Sequence, residues 1–350
     1  MLTLVDPKSD GDKTAVPIVS IYSNTSKKKR RPIKTVYFTH DVQSVQKQNV
    51  AAAIGVLEMH RKSLKKLNKI SESEFETIAR MLDENEEPGI GDALRKAYWN
   101  VKHVFERALK REMFIGDDPG VRFELNFPKD KKTWPGTFTL IANSGAGKTY
   151  FLVDMIVRYF KSVPPYQRRT VIWLSPEWEI DKSLKPLKDP RWSFHVIGID
   201  IGPIALKKSG LDAAAYYHTK IAEPLESHGE NALVCLDDFP DGAKALYPYL
   251  RDAYNTMLRT ARHRGSGVIS LQHTYAGRIN TTQALQSNKY VIFFPRSQQN
   301  RCIMFMRDHL MMQIPEAREL VLRFAALDRY MVIQLHSPVC VFNSKYLLLL

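Results

Sequence analysis

Eight consecutive residues, Ala142-Asn143-Ser144-Gly145-Ala146-Gly147-Lys148-Thr149, place two glycines, a lysine and a hydroxyl at the spacing that cradles a polyphosphate. Glycines let backbone N–H groups turn toward phosphate oxygens. A following helix adds the positive end of its dipole, a lysine reaches the β and γ oxygens, and a hydroxyl ligates Mg2+. The expected nucleotide site is therefore Ala142, Asn143, Ser144, Gly145, Ala146, Gly147, Lys148, Thr149 and the adjoining Tyr150. Ala142 stands where such loops carry their first glycine, and it fits if that residue keeps a negative φ.

A second group follows the apolar run Ala232-Leu233-Val234-Cys235-Leu236, which delivers Asp237 and Asp238 at its end. Carboxylates at the C-terminal end of a buried strand lie where ligands collect in open α/β sheets. Asp237 is expected to hold Mg2+ through water, together with Thr149. Asp238 is placed to polarise an attacking water, work for which a Glu is more common. The plainer alternative is that the pair caps the helix beginning near 243.

Two further features extend the reading. Gln272 closes the run Gly267-Val268-Ile269-Ser270-Leu271 and is positioned to bond the water or the γ-phosphate; otherwise it bonds a loop carbonyl. The helix 243–262 ends in Arg259-Thr260-Ala261-Arg262-His263-Arg264. Those arginines either complement the helix dipole or serve a phosphate.

The elements that must position these groups alternate. Strand-like runs fall at 121–126, 137–142, 170–175, 194–198, 232–237, 267–272, 290–294 and 330–335, with helix-length segments at 148–162, 211–224 and 243–262. Continuous apolar strands are buried on both faces of a parallel sheet, so the fold class is α/β, a doubly wound, mostly parallel P-loop NTPase sheet. The two strand signals between the phosphate loop and Asp237 set the chain apart from simple kinases and GTPases, and point to the RecA-like ASCE type. No Asn-Lys-x-Asp guanine reader is present, since Asn288-Lys289-Tyr290-Val291 lacks the Asp.

Ahead of this region, 41–114 carries helical periodicity through Val50, Ile54 and Leu57, then Phe75, Ile78 and Leu82, then Tyr98, Val101 and Phe105. Three helices are expected, with Ser71 or Ser73 capping the second and Pro88-Gly89 separating the second from the third. Residues 1–40, with Lys27-Lys28-Lys29-Arg30-Arg31, read as a basic flexible arm. The expected division is thus 1–40 arm, 41–114 helical appendage and 115–350 P-loop domain.

The net charge is +14, of which +9 falls on 1–70, −6 on 71–90 and the balance on the remainder, so the nucleotide-binding region is itself basic. That balance favours a polyanionic partner, with nucleic acid first. No apolar run reaches the roughly 20 residues of a membrane span and no secretory h-region opens the chain. Cys235, Cys302 and Cys340 lack metal-ligand spacing and read as reduced core residues.

The order of phosphate loop, Asp237-Asp238 strand, helix ending Arg262-His263, strand ending Gln272, and Arg278 to Asn288 before an apolar strand resembles the FtsK/HerA superfamily of DNA-pumping ATPases. Arg262 through Gln272 and Ser287-Asn288-Lys289-Tyr290-Val291-Ile292-Phe293-Phe294 resemble most the genome-packaging ATPases of poxviruses, other large eukaryotic DNA viruses and virophages. The likeness covers about residues 120–310. It implies ATP and Mg2+ as cofactors, a homo-oligomeric ring, double-stranded DNA and capsid proteins as partners, and residence in the host cytoplasm or nucleus, at the viral factory, or in the virion. It also implies that Arg262 reaches a neighbouring subunit's nucleotide, with Arg264 the alternative. Two other readings of the same residues are a P-loop kinase and an ATP-switched DNA- or capsid-binding protein without translocation.

Overall fold

A computed structural model describes residues 2–3, 16–23, 32–38, 50–84, 86–89, 93–115, 121–125, 127–128, 130, 133–273, 288–336 and 338–350. The chain divides into two units, Met1–Leu125 with Ser337–Leu350, and Asn126–His336.

In the first unit, strands β1 (Leu2–Thr3), β2 (Val16–Ser23), β3 (Pro32–Phe38) and β5 (Val121–Glu124) form a sheet in the order β1-β3-β2-β5, while β4 (Glu112–Phe114) lies outside it. This corrects the expectation of a flexible arm over 1–40. The run Ile18-Val19-Ser20-Ile21, β-branched but for Ser20, is buried, as is Val36, and antiparallel pairing with β3 and β5 satisfies the backbone of β2. The Lys27–Arg31 run lies outside the described residues.

The three expected helices are Val50–Asn68, Glu72–Asp83 and Arg95–Arg111. Ser71 caps the second in a reciprocal box: the Glu74 N–H donates to Ser71 Oγ, and the Ser71 N–H donates to the Glu74 carboxylate. The C-terminal strand Tyr346–Leu349 pairs antiparallel with both Cys340–Phe342 and β4. Residues 337–350 therefore group with the N-terminal unit, and the boundary falls after Leu125, not at 114. The edge offered by β4, with the Tyr346 hydroxyl donating to the buried Glu112 carboxylate, accounts for this.

The second unit holds β6 (Thr137–Ile141), β7 (Val171–Ser175), β8 (Val196–Asp200), β9 (Leu233–Asp237), β10 (Gly267–Gln272), β11 (Tyr290–Phe293) and β12 (Met331–Gln334). Their order is β12-β11-β6-β10-β9-β7-β8, parallel throughout except for β12, which runs antiparallel to β11. All residues of β6, β7 and β9 are buried, as continuous apolar strands require. The strand set between the phosphate-loop strand and the acidic strand is β10, which follows both in sequence. β7 and β8 extend the sheet beyond β9.

Lys148–Ser162 is helical as expected, and Tyr247–Thr260 forms the body of the helix expected at 243–262. β8 begins two residues later than expected, because Asp189 caps the turn Pro190–Trp192 and the His195 N–H donates to the Trp192 carbonyl. All three cysteines are free and buried. Among the described residues, no helix is long and apolar enough to cross a membrane.

Candidate active site

β6 ends at Ile141, and the Ala142 N–H donates to the Gln272 carbonyl at 3.2 Å, which ties the start of the loop to β10. Gly145 (φ 74°) and Gly147 (φ 93°) adopt the left-handed conformation, and Gly147 caps the helix that starts at Lys148. Ala142 is not among the positive-φ residues, so alanine fits where a glycine is usual. Asn143 is tied to the helix that follows β11: its Nδ2 donates to the Ser297 carbonyl at 2.9 Å and its Oδ1 accepts from Gln298 Nε2 at 2.6 Å, the nitrogen that also donates to the His273 carbonyl at 2.6 Å. These bonds brace the loop. Thr149 lies in the first helical turn, while Ser144 and Tyr150 are exposed.

Lys148 is only 5% exposed, and burial lowers its ammonium pKa against the opposing pull of Asp238, Asp237 and Asp241. Its Nζ donates to the Ala142 carbonyl at 3.1 Å and lies 4.0 Å from Asp238 Oδ1. A lysine held this way, with a loop carbonyl and a carboxylate as neighbours, is poised for anionic oxygens.

Asp237 is 4% exposed, and its Oδ1 has no hydrogen-bond partner. Burial, reinforced by the charge of Asp238, pushes its carboxyl up to about 7. An orphaned, buried carboxylate oxygen beside the phosphate loop fits a divalent cation. Asp238 takes a left-handed conformation (φ 42°), an uncommon one for a non-glycine residue, which turns its side chain out of the strand. Burial raises its pKa as well, opposed by Lys148 and His273.

His273 is the residue that sequence reasoning missed. Its Nδ1 lies 3.2 Å from Lys148 Nζ and its Nε2 lies 3.0 Å from Asp238 Oδ2. Because an ammonium can only donate, Nδ1 accepts from Lys148 and Nε2–H donates to Asp238. Asp241 Oδ2 is 3.8 Å from the same Nε2. The signal in the sequence is a titratable residue one position past the end of β10, next to Gln272.

Gln272 is placed differently. Its Nε2 is 3.3 Å from Ser270 Oγ, the hydroxyl to which Tyr254 also donates, so its side chain lies on the face of helix Tyr247–Thr260. Its contribution to the loop here is the backbone carbonyl that receives Ala142 N–H. Arg264 Nη2 donates to the Leu225 carbonyl at 3.0 Å, whereas Arg262 is exposed. Arg262 precedes β10, at the N-terminal edge of the parallel strands, and the phosphate loop follows β6, at their C-terminal edge. At about 3.3 Å per residue those edges are roughly 15 Å apart. Arg278 and the rest of 274–287 lie outside the described residues.

The strand order, the left-handed glycines and the paired carboxylates define a P-loop NTPase in which one strand separates the phosphate-loop strand from the acidic strand. No family model matches the chain, and no curated protein matches it. Among solved structures, it is similar to the genome-packaging NTPase B204 of Sulfolobus turreted icosahedral virus 2 in complex with AMPPCP. That match has 12% identity and a TM-score of 0.36, over 62% of this chain and 98% of that one. It is also similar to the cytoplasmic domain of the type VII secretion ATPase EccC of Thermomonospora curvata, at 14% identity and a TM-score of 0.38, over 67% of this chain and 28% of that one. A KaiC-like protein of Pyrococcus horikoshii matches at 14% identity and a TM-score of 0.32, over 49% and 79%. At these values the function rests on the geometry of the chain itself.

Proposed function

We propose that this chain is an ATP hydrolase that translocates double-stranded DNA and packages a viral genome into a capsid, working as a homo-oligomeric ring. The observation that carries the reading is the convergence of Lys148, Asp238 and His273 at the C-terminal edge of β6, β9 and β10, beside the orphaned carboxylate of Asp237.

In this reading Lys148 holds the β and γ oxygens of ATP. Asp237 and Thr149 are the residues that would hold Mg2+, which when bound neutralises charge on those oxygens. Asp238 orients and deprotonates water for attack on the γ-phosphorus; the bond from phosphorus to the bridging oxygen breaks, leaving ADP and phosphate. His273 fixes the carboxylate of Asp238, and so is a positioning residue.

Arg262 sits at the sheet edge away from its own phosphate loop, which suits a group that acts on a neighbour and gives a ring a reason to assemble. The basic balance of the chain and the sequence resemblance to DNA-pumping ATPases support double-stranded DNA as the substrate that moves. Displacement of a third strand from linear duplex DNA tests this. ATP-dependent displacement by the wild type, absent with Lys148→Ala, is expected; displacement without ATP, or none with ATP, would overturn translocation.

A further inference from the structure

We propose that Arg329 is a second phosphate ligand, supplied by the same subunit and acting at the nucleoside end of the bound nucleotide; the inference rests on the reading of 142–149 as an ATP site. Arg329 lies in the connection between helix Ile314–Leu327 and β12. Its guanidinium Nη2 donates to the Ala146 carbonyl of the phosphate loop at 3.0 Å. The same nitrogen stands so close to Gly147 that a Cβ there would meet it at 2.1 Å. The left-handed φ holds position 147 to glycine, and a side chain there would displace the end of Arg329.

The guanidinium of Arg329 is exposed and lies over the Phe294 ring, 6.0 Å from its centroid, where an anion at the loop can reach it. Arg329 approaches the N-terminal end of helix Lys148–Ser162, where the dipole repels cations, and Lys148 already brings a positive charge to the same loop. A guanidinium has five N–H donors in a planar fork, and a single carbonyl engages only one of them. A bound polyphosphate offers the remaining donors charged oxygen acceptors.

The backbone that carries Arg329 is fixed in place. The Arg329 N–H donates to Asp328 Oδ1 at 2.6 Å, and the Tyr330 ring packs 4.7 Å from Phe151, itself 6.0 Å from Phe294. Phe151 belongs to the first turns of the helix that follows the loop. The arginine is therefore anchored to the element that carries the cradle.

Strand order decides which end of the nucleotide it meets. The groups around the reacting phosphate come from β9 and β10, on one side of β6; Arg329 precedes β12, which lies on the other side, past β11. A chain of phosphates whose γ group faces Asp238 and His273 presents its α-phosphate and ribose toward Arg329. Contacts there are made alike before and during the reaction, so they act on binding and not on the chemical step.

The test compares Arg329→Ala, Arg329→Gln and Arg329→Lys with the wild type, by calorimetric titration with ATP and with ADP and by steady-state turnover. We expect ATP and ADP affinity to fall together about 10- to 100-fold in the Ala and Gln variants, as for loss of a charge-assisted bond. KM should rise while kcat stays within about threefold, and Lys should recover part of the loss. Gln keeps a donor for the Ala146 carbonyl but no charge. Wild-type affinity in Arg329→Gln would make the arginine a brace for the loop and overturn the proposal, as would unchanged affinity in Arg329→Ala. A wild type that binds neither nucleotide would overturn the ATP reading itself, a result distinct from both.

Discussion

His273 Nε2 lies 3.0 Å from Asp238 Oδ2, and the other ring nitrogen faces the phosphate-loop lysine. The ring therefore connects the group that holds phosphate to the group that activates water. Asp238 also sits in a left-handed conformation at the end of β9, so its carboxylate depends on this partner for its direction.

Replacing His273 with Ala should lower kcat about 10-fold or more with ATP affinity little changed, because the carboxylate remains but loses its orientation. Nucleotide titration and steady-state kinetics measured on the same preparation check this. A parallel loss of ATP affinity would mean that the ring supports Lys148 in binding and not Asp238 in catalysis.

The two carboxylates should separate by phenotype. Asp238→Asn should bind ATP and fail to hydrolyse it, whereas Asp237→Ala should lose Mg2+-dependent binding. Filter binding with labelled ATP, with and without EDTA, distinguishes them; equal loss of binding in both would make Asp238 a metal ligand. Lys148→Ala should lose both binding and turnover.

Asp237 gives a dependence on pH. Its carboxyl is raised to about 7 in the folded protein from an ordinary value of 3.8, mainly by burial, so without metal the fold favours its neutral form. Its contribution to stability is fully present below the ordinary value and is lost as pH rises through about 7. Metal-free protein should melt lower at pH 8 than at pH 6, and Asp237→Asn should reduce that difference. Mg2+-dependent ATP binding should weaken as pH falls below 7, as protons compete for the carboxylate. Identical pH profiles of melting for the wild type and Asp237→Asn would contradict the assignment.

Arg262 should act across a subunit boundary. Arg262→Ala should bind ATP normally and turn over slowly, since a trans-acting arginine contributes about 10³-fold or more to phosphoryl transfer. Mixed with Lys148→Ala subunits, it should regain partial activity, because an intact loop can then face an intact Arg262. Co-assembled but inactive mixtures would remove Arg262 from the site and return attention to Arg264, whose guanidinium is engaged by the Leu225 carbonyl.

The sequence made the loop and its flanking elements legible because their signals are local. An apolar run to Ile141, glycines at 145 and 147, and a helix opened by Lys148 need no long-range information, nor does the capping box at Ser71. The site was legible only in part. Choosing between Gln272 and His273 requires knowing which face of β10 each side chain takes and that β10 lies beside β9, both tertiary facts. Arg329 reaches the loop because antiparallel β12 packs next to β11, and nothing in its own neighbourhood announces this. Helix Pro295–Leu310 is not legible locally because its first turns are polar and its backbone departs from helical geometry at Gln298. β2 and β3 were hidden by the Pro, Ser and Lys residues around them, although their β-branched cores are buried.

The central claim is that ATP hydrolysis here is coupled to movement along duplex DNA, and the rate of ATP turnover across a titration of linear double-stranded DNA tests it most directly. The account predicts that turnover rises severalfold with duplexes of unrelated sequence, because the grip is on phosphates. The DNA concentration needed should climb steeply between about 50 and 200 mM salt as counterion release loses its advantage, and Lys148→Ala should stay at background throughout. Turnover by the wild type that is indifferent to duplex DNA at low salt would contradict it.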